Sequence, residues 1–536
     1  MESTNPTSAP ALTHRQILVI FSGLMLGMLL AALDQTIVAT ALPTITGELG
    51  GLEHLSWVVT AYLLAATVAT PLYGKFGDLY GRKGLFQIAI VVFLTGSVLA
   101  GLAQNMAQLI AFRAIQGAGG GGLIVLAQAI IADVVSPRER GRYQGYFGAV
   151  FGVTSIAGPL LGGFFTDQLS WRWIFYVNLP LGMLALMVTA AVLPAGERRG
   201  GARIDYLGAA VLIAAVNCIV LFTTWGGTQY AWSSPLIISL VAASIVLLAV
   251  FVPIERRAPE PIVPISLFRL RTFNVAGGAG FIVGMAMFGA IAFLPLFLQV
   301  VQGASATNSG LLLLPLMAGL LTASIGSGQV ITRTGRYRIF PIAGTAIAAV
   351  GMFLLSTMGA ETSRLLVTLY MVMLGVGIGF TLQTLVLATQ NAVPMRDLGA
   401  ATSAVTFLRS MGGAIGVAIF GALFNNVLAG RLAGLPIGVE DISSITPAAL
   451  ARLSSSQAEQ VVSAFADSLT AVFSRAAVVV VAAFAITWLL RETPLRLTTH
   501  ASAGESAASQ GMVEPEAAAS AGLMTPGMSP AAEDTH

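Results

Sequence analysis

From Ile17 to Arg491 the chain alternates long apolar stretches with short polar breaks. A helix needs about 20 apolar residues to cross a hydrocarbon layer of about 30 Å. Fourteen stretches meet that length within a few residues at either end: 17–43, 55–73, 84–103, 107–133, 144–166, 174–194, 206–225, 235–254, 274–298, 308–331, 339–358, 365–388, 399–425 and 471–491. The pattern predicts an all-α polytopic membrane protein. An even number of spans puts both termini on one side. Twenty of the 27 lysines and arginines fall on that side, among them Lys75, Arg82, Arg138, Arg140, Arg142, Arg333, Arg336 and Arg338. The opposite segments hold Arg172, Arg364, Arg431, Arg452 and Arg475. Positive charge gathers on cytoplasmic loops, so both termini are predicted to be cytoplasmic.

The polar breaks also repeat. Gly74-Lys-Phe-Gly-Asp-Leu-Tyr-Gly-Arg82 follows the second span, and Gly328-Gln-Val-Ile-Thr-Arg-Thr-Gly-Arg336 follows the tenth. In each, Gly-Arg comes seven residues after the first glycine. The repeat divides the chain into a tail 1–16, a six-helix half 17–194, a linker 195–273 with two extra spans, a second six-helix half 274–491 and a tail 492–536. Paired halves around a midplane site are the plan of many transporters. The second half carries a long outer loop, 426–470. Thr446-Pro447 and Ser456-Gln-Ala-Glu predict short helices lying at the outer surface. The last tail is rich in Ala, Ser, Gly and Pro without apolar period and is predicted to be disordered.

Composition agrees: 56% of residues are hydrophobic, 10% are charged, and mean hydropathy is +0.84. The net charge of +3 is spread over short loops and does not point to nucleic acid. The one cysteine, Cys218, excludes an intramolecular disulfide. Met1–Arg15 is polar and the first apolar run is too long for a signal h-region, so no cleaved leader is expected.

The informative residues are those that break the apolar rule. Asp34 lies inside the first span. A charge at the centre of a membrane helix costs about 2.5–3.5 kcal/mol on insertion scales and by default marks an ion or substrate path. A carboxyl taken out of water can exchange its proton near neutral pH. Asp34 is therefore read as proton acceptor and contact for a cationic substrate, against the plainer reading of a structural hydrogen-bond acceptor. Arg113 lies about 10 Å inside the fourth span, near the depth of Asp34. Arg409 lies near the middle of the thirteenth; it either meets Asp34 across the halves or bonds carbonyls locally, and the sequence does not choose. Gly117-Ala-Gly-Gly-Gly-Gly122 has no preceding strand and no following Lys-Ser/Thr, so it reads as close helix packing and not as a phosphate cradle. Gly158, Pro159, Gly162 and Gly163 predict a kinked, tightly packed fifth span. None of the four histidines lies mid-span, no metal-ligand spacing occurs, and enzyme chemistry finds no support.

Five stretches in order resemble the fourteen-helix drug:proton antiporter branch of the major facilitator superfamily: Leu33-Asp-Gln-Thr-Ile-Val-Ala-Thr-Ala-Leu-Pro43, Gly74–Lys83, Ile110-Ala-Phe-Arg-Ala-Ile-Gln-Gly117, Gly158-Pro-Leu-Leu-Gly-Gly163 and Trp171-Arg-Trp-Ile-Phe-Tyr-Val-Asn-Leu-Pro180. Thr40 stands where that branch often has Asn. The resemblance implies the major facilitator fold and a cavity lined by the first and fourth helices, where Asp34 and Arg113 could pair as a switch. It implies an antiporter role for Gly158, Pro159, Gly162 and Gly163, and a cytoplasmic gating cluster of Gly74, Asp78, Gly81, Arg82 and Asp133. The expected activity is proton-coupled export of lipophilic, neutral or monocationic compounds across the plasma (inner) membrane, using the proton gradient and no cofactor. The expected partners are such small molecules, protons and the bilayer; an accessory envelope protein is left open. The alternatives are a dedicated exporter of one endogenous product on the same fold and, remotely, a membrane enzyme or sensor.

Overall fold

The computed structural model describes residues 13–49, 55–193, 204–227, 229–304, 311–432 and 454–495. In lipid every backbone N–H and C=O must find its partner within the segment, so apolar stretches this long become helices. Fourteen are present among the described residues. In the first half they are α1 (His14–Leu49), α2 (Leu55–Tyr80), α3 (Arg82–Gly101), α4 (Met106–Val134), α5 (Pro137–Gln168) and α6 (Trp173–Val192). Two more follow, α7 (Tyr206–Trp225) and α8 (Pro235–Arg257). The second half holds α9 (Arg271–Val301), α10 (Leu314–Thr334), α11 (Ile339–Leu355), α12 (Arg364–Ala392), α13 (Leu398–Leu432) and α14 (Ser455–Thr487). Polar residues at the breaks start several of them. The side chains of Asn105, Asp205, Ser234 and Ser363 each accept a hydrogen bond from a backbone N–H of the first turn, which satisfies one of the otherwise unpaired donors there.

The packing repeats as the sequence does. In the first half α1 lies on α5 and α6, α2 on α4, and α3 on α4 and α6. In the second half α9 lies on α13 and α14, α10 on α12, and α11 on α12 and α14. Each pair maps onto its counterpart by a shift of eight helices. The halves meet along two seams, α5 against α10 and α2 against α13. α7 lies along the second seam, touching both α2 and α13, while α8 packs mainly on α7 and buries only four of its residues. The repeated Gly-Arg breaks have a conformational cause. Gly81 (φ 90°) and Gly335 (φ 74°) both adopt left-handed backbone, which glycine reaches without a Cβ penalty.

The outer region differs from the sequence expectation. α13 continues to Leu432, and the predicted start at Ser456 opens α14 itself, not a separate surface helix. A capping box between Ser454 and Gln457 begins it. Val461, Phe465 and Leu469, four apart and buried, then carry one apolar face unbroken into the span. The loop predicted over 426–470 is therefore shorter at both ends, and Arg431 and Arg475 stand in α13 and α14. Thr446-Pro447 and the long C-terminal tail lie outside the described residues.

Candidate functional site

Five helices of the first half bring polar side chains to one buried point. Asp34 of α1 and Arg113 of α4 are 0% and 1% exposed. Arg113 Nη1 donates to Asp34 Oδ2, and also to Gln116 Oε1 at 2.7 Å. Gln116 Nε2 donates to Asp34 Oδ1 at 2.8 Å and to Ser97 Oγ of α3 at 3.1 Å. Asn178 Nδ2 of α6 reaches Ser97 Oγ at 3.0 Å and Asp34 Oδ1 at 3.5 Å. Ser97 passes its own proton to the Phe175 carbonyl at 2.8 Å. The guanidinium is held further by the Val58 carbonyl at 3.2 Å and by the face of Tyr62 of α2, whose centroid lies 4.3 Å from Cζ. A cation over an aromatic face in a dry site is worth about 2 kcal/mol.

Glycines make this convergence possible. A Cβ on Gly96 would collide with the backbone of Gln116, and one on Gly117 with the backbone of Tyr62. Gly120 and Gly121 meet the Tyr62 hydroxyl and the Ala66 carbonyl in the same way, and Gly119 meets α3. The glycine run is thus a packing surface with α2 on one side and α3 on the other, as its place in an apolar span predicts.

Both Asp34 oxygens are engaged, and the pair is neutral as a unit. Removing one partner of such a buried pair leaves an uncompensated charge and costs about 3–5 kcal/mol. The arrangement ties the ionisation of Asp34 to the position of Arg113.

The α5 motif lies against the same stretch of α1. Gly158 and Gly162 leave room for the hydroxyls of Thr36 and Thr40, and Thr36 Oγ1 donates across to the Thr154 carbonyl at 3.0 Å. Pro159 sits within the continuous helix. Gly163 has no neighbour that a Cβ would touch, so packing accounts for two of the three glycines only.

The residues for which the family resemblance implies gating form a second cluster at the face where the chain's described ends lie, here the termini face. Arg82 is paired with Asp78 at 2.6 Å and with Asp133, and it donates to the Ala129 carbonyl at 3.0 Å. Asp78 also accepts from the backbone N–H groups of Gly399 and Ala400 at 3.0 and 2.9 Å. Those groups open α13, so Asp78 of the first half caps a helix of the second, where the helix dipole favours a carboxylate. Gly74 packs on Gly399 and Ser403 beside it. Along the other seam Arg138 donates to the carbonyls of Thr332 and Arg333, and Gly141 and Gly328 let α5 and α10 touch backbone to backbone. The halves are closed against each other at this face.

Arg409 stands apart. Thr406, one turn earlier on α13, meets Gln128 of α4 at 3.5 Å. Gln128 is 15 residues from Arg113 on α4, about 22 Å at 1.5 Å per residue. Arg409 therefore lies roughly 18 Å nearer the termini face than Arg113. Asp34 pairs with Arg113, and Arg409 has neither an ion pair nor a hydrogen bond among the described residues. Two partners of Asp34, Gln116 and Asn178, and Ser97, which bonds both of them, were not singled out from the sequence. Gln116 is three residues from Arg113 and so on the same helix face. Asn178 is a lone amide opening an apolar span. Ser97 carries no signal in a membrane helix.

Fourteen apolar helices among the described residues, twelve of them in two matched halves, with a charge pair buried in the first half, have the architecture of a polytopic membrane transporter. The Major Facilitator Superfamily model matches residues 24–417, and the chain belongs to that family. It is 48% identical over 502 residues to an uncharacterized MFS-type transporter of Mycobacterium tuberculosis, covering 92% of this chain and 73% of that one. It is 39% identical over 409 residues to the multidrug transporter protein MdtP of Bacillus subtilis, covering 76% and 75%. Its fold matches the proton:xylose symporter XylE with a TM-score of 0.63 at 14% identity, over 92% of this chain and 99% of that one.

Proposed function

We propose that this transporter is a secondary exporter that takes protons in through Asp34 and moves lipophilic compounds out by alternating access, with the termini face in the cytoplasm of a plasma membrane. One observation carries the reading. Among the described residues, the one acid deep in the first half is bonded to the Arg113 guanidinium and to two amides, all buried. Proton uptake by Asp34 discharges the carboxylate and frees Arg113, so protonation and helix position change together. Relatives named for multidrug transport and efflux support the direction of movement. One proton crossing 100 mV supplies about 2.3 kcal/mol, and a tenfold gradient of solute costs about 1.4 kcal/mol, so one proton per cycle sustains a useful gradient.

The test uses inside-out vesicles with an imposed pH gradient and a lipophilic dye. Wild type should accumulate dye until an uncoupler is added. Asp34→Asn should lose at least nine-tenths of that accumulation. Proton-driven accumulation that survives in Asp34→Asn would place the proton site elsewhere.

A further inference from the structure

Arg409 is the charge that this mechanism does not use. Thr402, Thr406 and Arg409 are spaced four and three apart and share one face of α13. That face looks into the interface between the halves: Thr402 accepts from Gln390 at 3.2 Å, and Thr406 meets Gln128 of the first half. Arg409 is the first residue of this face beyond the closed contact, moving away from the termini face. There it is half-buried, where Thr406 is buried. Arg409 is 11 residues, about 17 Å, from the termini-side start of α13, so its remaining exposure falls inside the membrane layer on a helix whose Thr406 turns toward the other half. Gly284 of α9 adapts to it: a Cβ there would lie 3.2 Å from Arg409 Cγ and would strike the Arg409 carbonyl.

The guanidinium holds five donors and stays charged at every physiological pH. No described acid balances it. α9, α10, α11, α12 and α13 contain no Asp or Glu, and the acids of α14, Glu459 and Asp467, lie near its far end. Asp467 is already paired with Arg431 at 2.9 Å. In the first half Asp34 is neutralised by Arg113, and the carboxylate shows no oxygen free for a cationic ligand. Among the described residues Arg409 is thus a positive charge with no acid paired to it, on the α13 face whose Thr406 meets the first half. An ionised group in a membrane span is by default part of a functional site, and its missing partner is the thing to name.

The geometry points to Arg409 as a substrate-binding residue that takes an anionic oxygen, so the preferred substrates are lipophilic carboxylates or zwitterions and not simple cations. The assignment rests on the export reading above in taking the space between the halves as the substrate path. A guanidinium meets a carboxylate with two parallel hydrogen bonds, which a neutral ester or an ammonium group cannot reproduce.

The test separates this assignment from proton coupling. Purified protein in detergent is titrated with three fluorescent probes on one ring system: anthracene-9-carboxylate, its methyl ester, and (9-anthracenylmethyl)trimethylammonium. Wild type should bind the carboxylate at least about ten times more tightly than the ester, the ratio set by one charge-assisted contact. Arg409→Gln should erase that ratio while leaving ester affinity unchanged, and Arg409→Lys should restore part of it. Equal affinity of wild type for all three probes overturns the assignment without any variant. Equal weakening of carboxylate and ester in Arg409→Gln also overturns it, since that marks a packing role. Proton-driven uptake of the ester into inside-out vesicles is measured beside it. If the carboxylate preference holds while that uptake is absent, Arg409 keeps its role and the export reading fails.

Discussion

Glu48 shows how single residues outside the apolar layer set local stability. It stands near the far end of α1, beyond its apolar stretch. Arg172 bonds one carboxylate oxygen, and the buried Trp171 donates to the other at 2.7 Å. These hydrogen bonds, that of Arg172 first, hold the Glu48 carboxyl below the ordinary glutamate range. A depressed folded value means that the contribution is complete above the unfolded value of about 4.3 and is lost as pH falls through the folded one. Wild type should therefore melt above Glu48→Gln at pH 7, and the gap should close as the buffer is taken below about pH 4. Scanning fluorimetry of the detergent-solubilised protein reads both curves; a gap independent of pH would assign the difference to packing. The same contact shows what the sequence conceals. Trp171 reads as part of an interfacial aromatic belt, yet it is buried under a carboxylate 123 positions away. Asp34 and Arg113 were legible because each breaks the apolar pattern at its own position. Gln116, Asn178 and Ser97 are ordinary in composition and gain their role only from helices that meet in three dimensions.

Among the elements, α4 carries the heaviest constraint. It is glycine-rich over 117–122 because two helices press on it from opposite sides. Gly121 has no room at all: a Cβ there would strike the Ala66 carbonyl, and α2 cannot withdraw without carrying Tyr62 away from Arg113. Gly121→Val should cost several kcal/mol, the size of an overpacked core with displaced backbone, and should be seen as loss of folded protein on size-exclusion chromatography. Gly163→Ala is the contrast, since nothing lies within reach of its Cβ. It should fold and melt within about 0.5 kcal/mol of wild type. If Gly163→Ala folds yet abolishes transport, the glycine serves a second conformation in which α5 closes on a neighbour. Helix number, the repeat and the inserted pair were legible because lipid leaves only one backbone solution for such stretches. The extent of α14 was not. The reach of a helix beyond the bilayer depends on what its outer turns pack against, and Phe465 meets Phe424 of α13 edge to face with ring centroids 5.7 Å apart.

At the scale of the whole molecule the two seams decide which face is open. Along α2–α13 the closing contact is Asp78 on the first turn of α13; along α5–α10 it is direct backbone packing with Arg138 on two carbonyls. These differ in kind. The α5–α10 contact depends chiefly on shape, and a larger side chain at Gly141 or Gly328 would open it. The Asp78 contact depends on charge, because a carboxylate accepting two backbone N–H groups at a helix start is favoured by the dipole and an amide is not. Asp78→Asn keeps the size and removes the charge. A hydrogen bond to a charged group is worth about 1.5–3 kcal/mol, so its loss should shift the balance of closed and open states at the termini face by about ten-fold or more. With Cys218→Ser as background and Ser324→Cys as reporter, buried on α10 where it packs against Gly145 and Gly148 of α5, maleimide labelling from the termini side should speed up by a similar factor in Asp78→Asn. Restoring the charge as Asp78→Glu should recover part of the protection. Labelling that is slow and equal in all three proteins would mean that the α5–α10 seam alone holds the face shut, and that the charge cluster around Arg82 stabilises the turn between α2 and α3 and not the closed state.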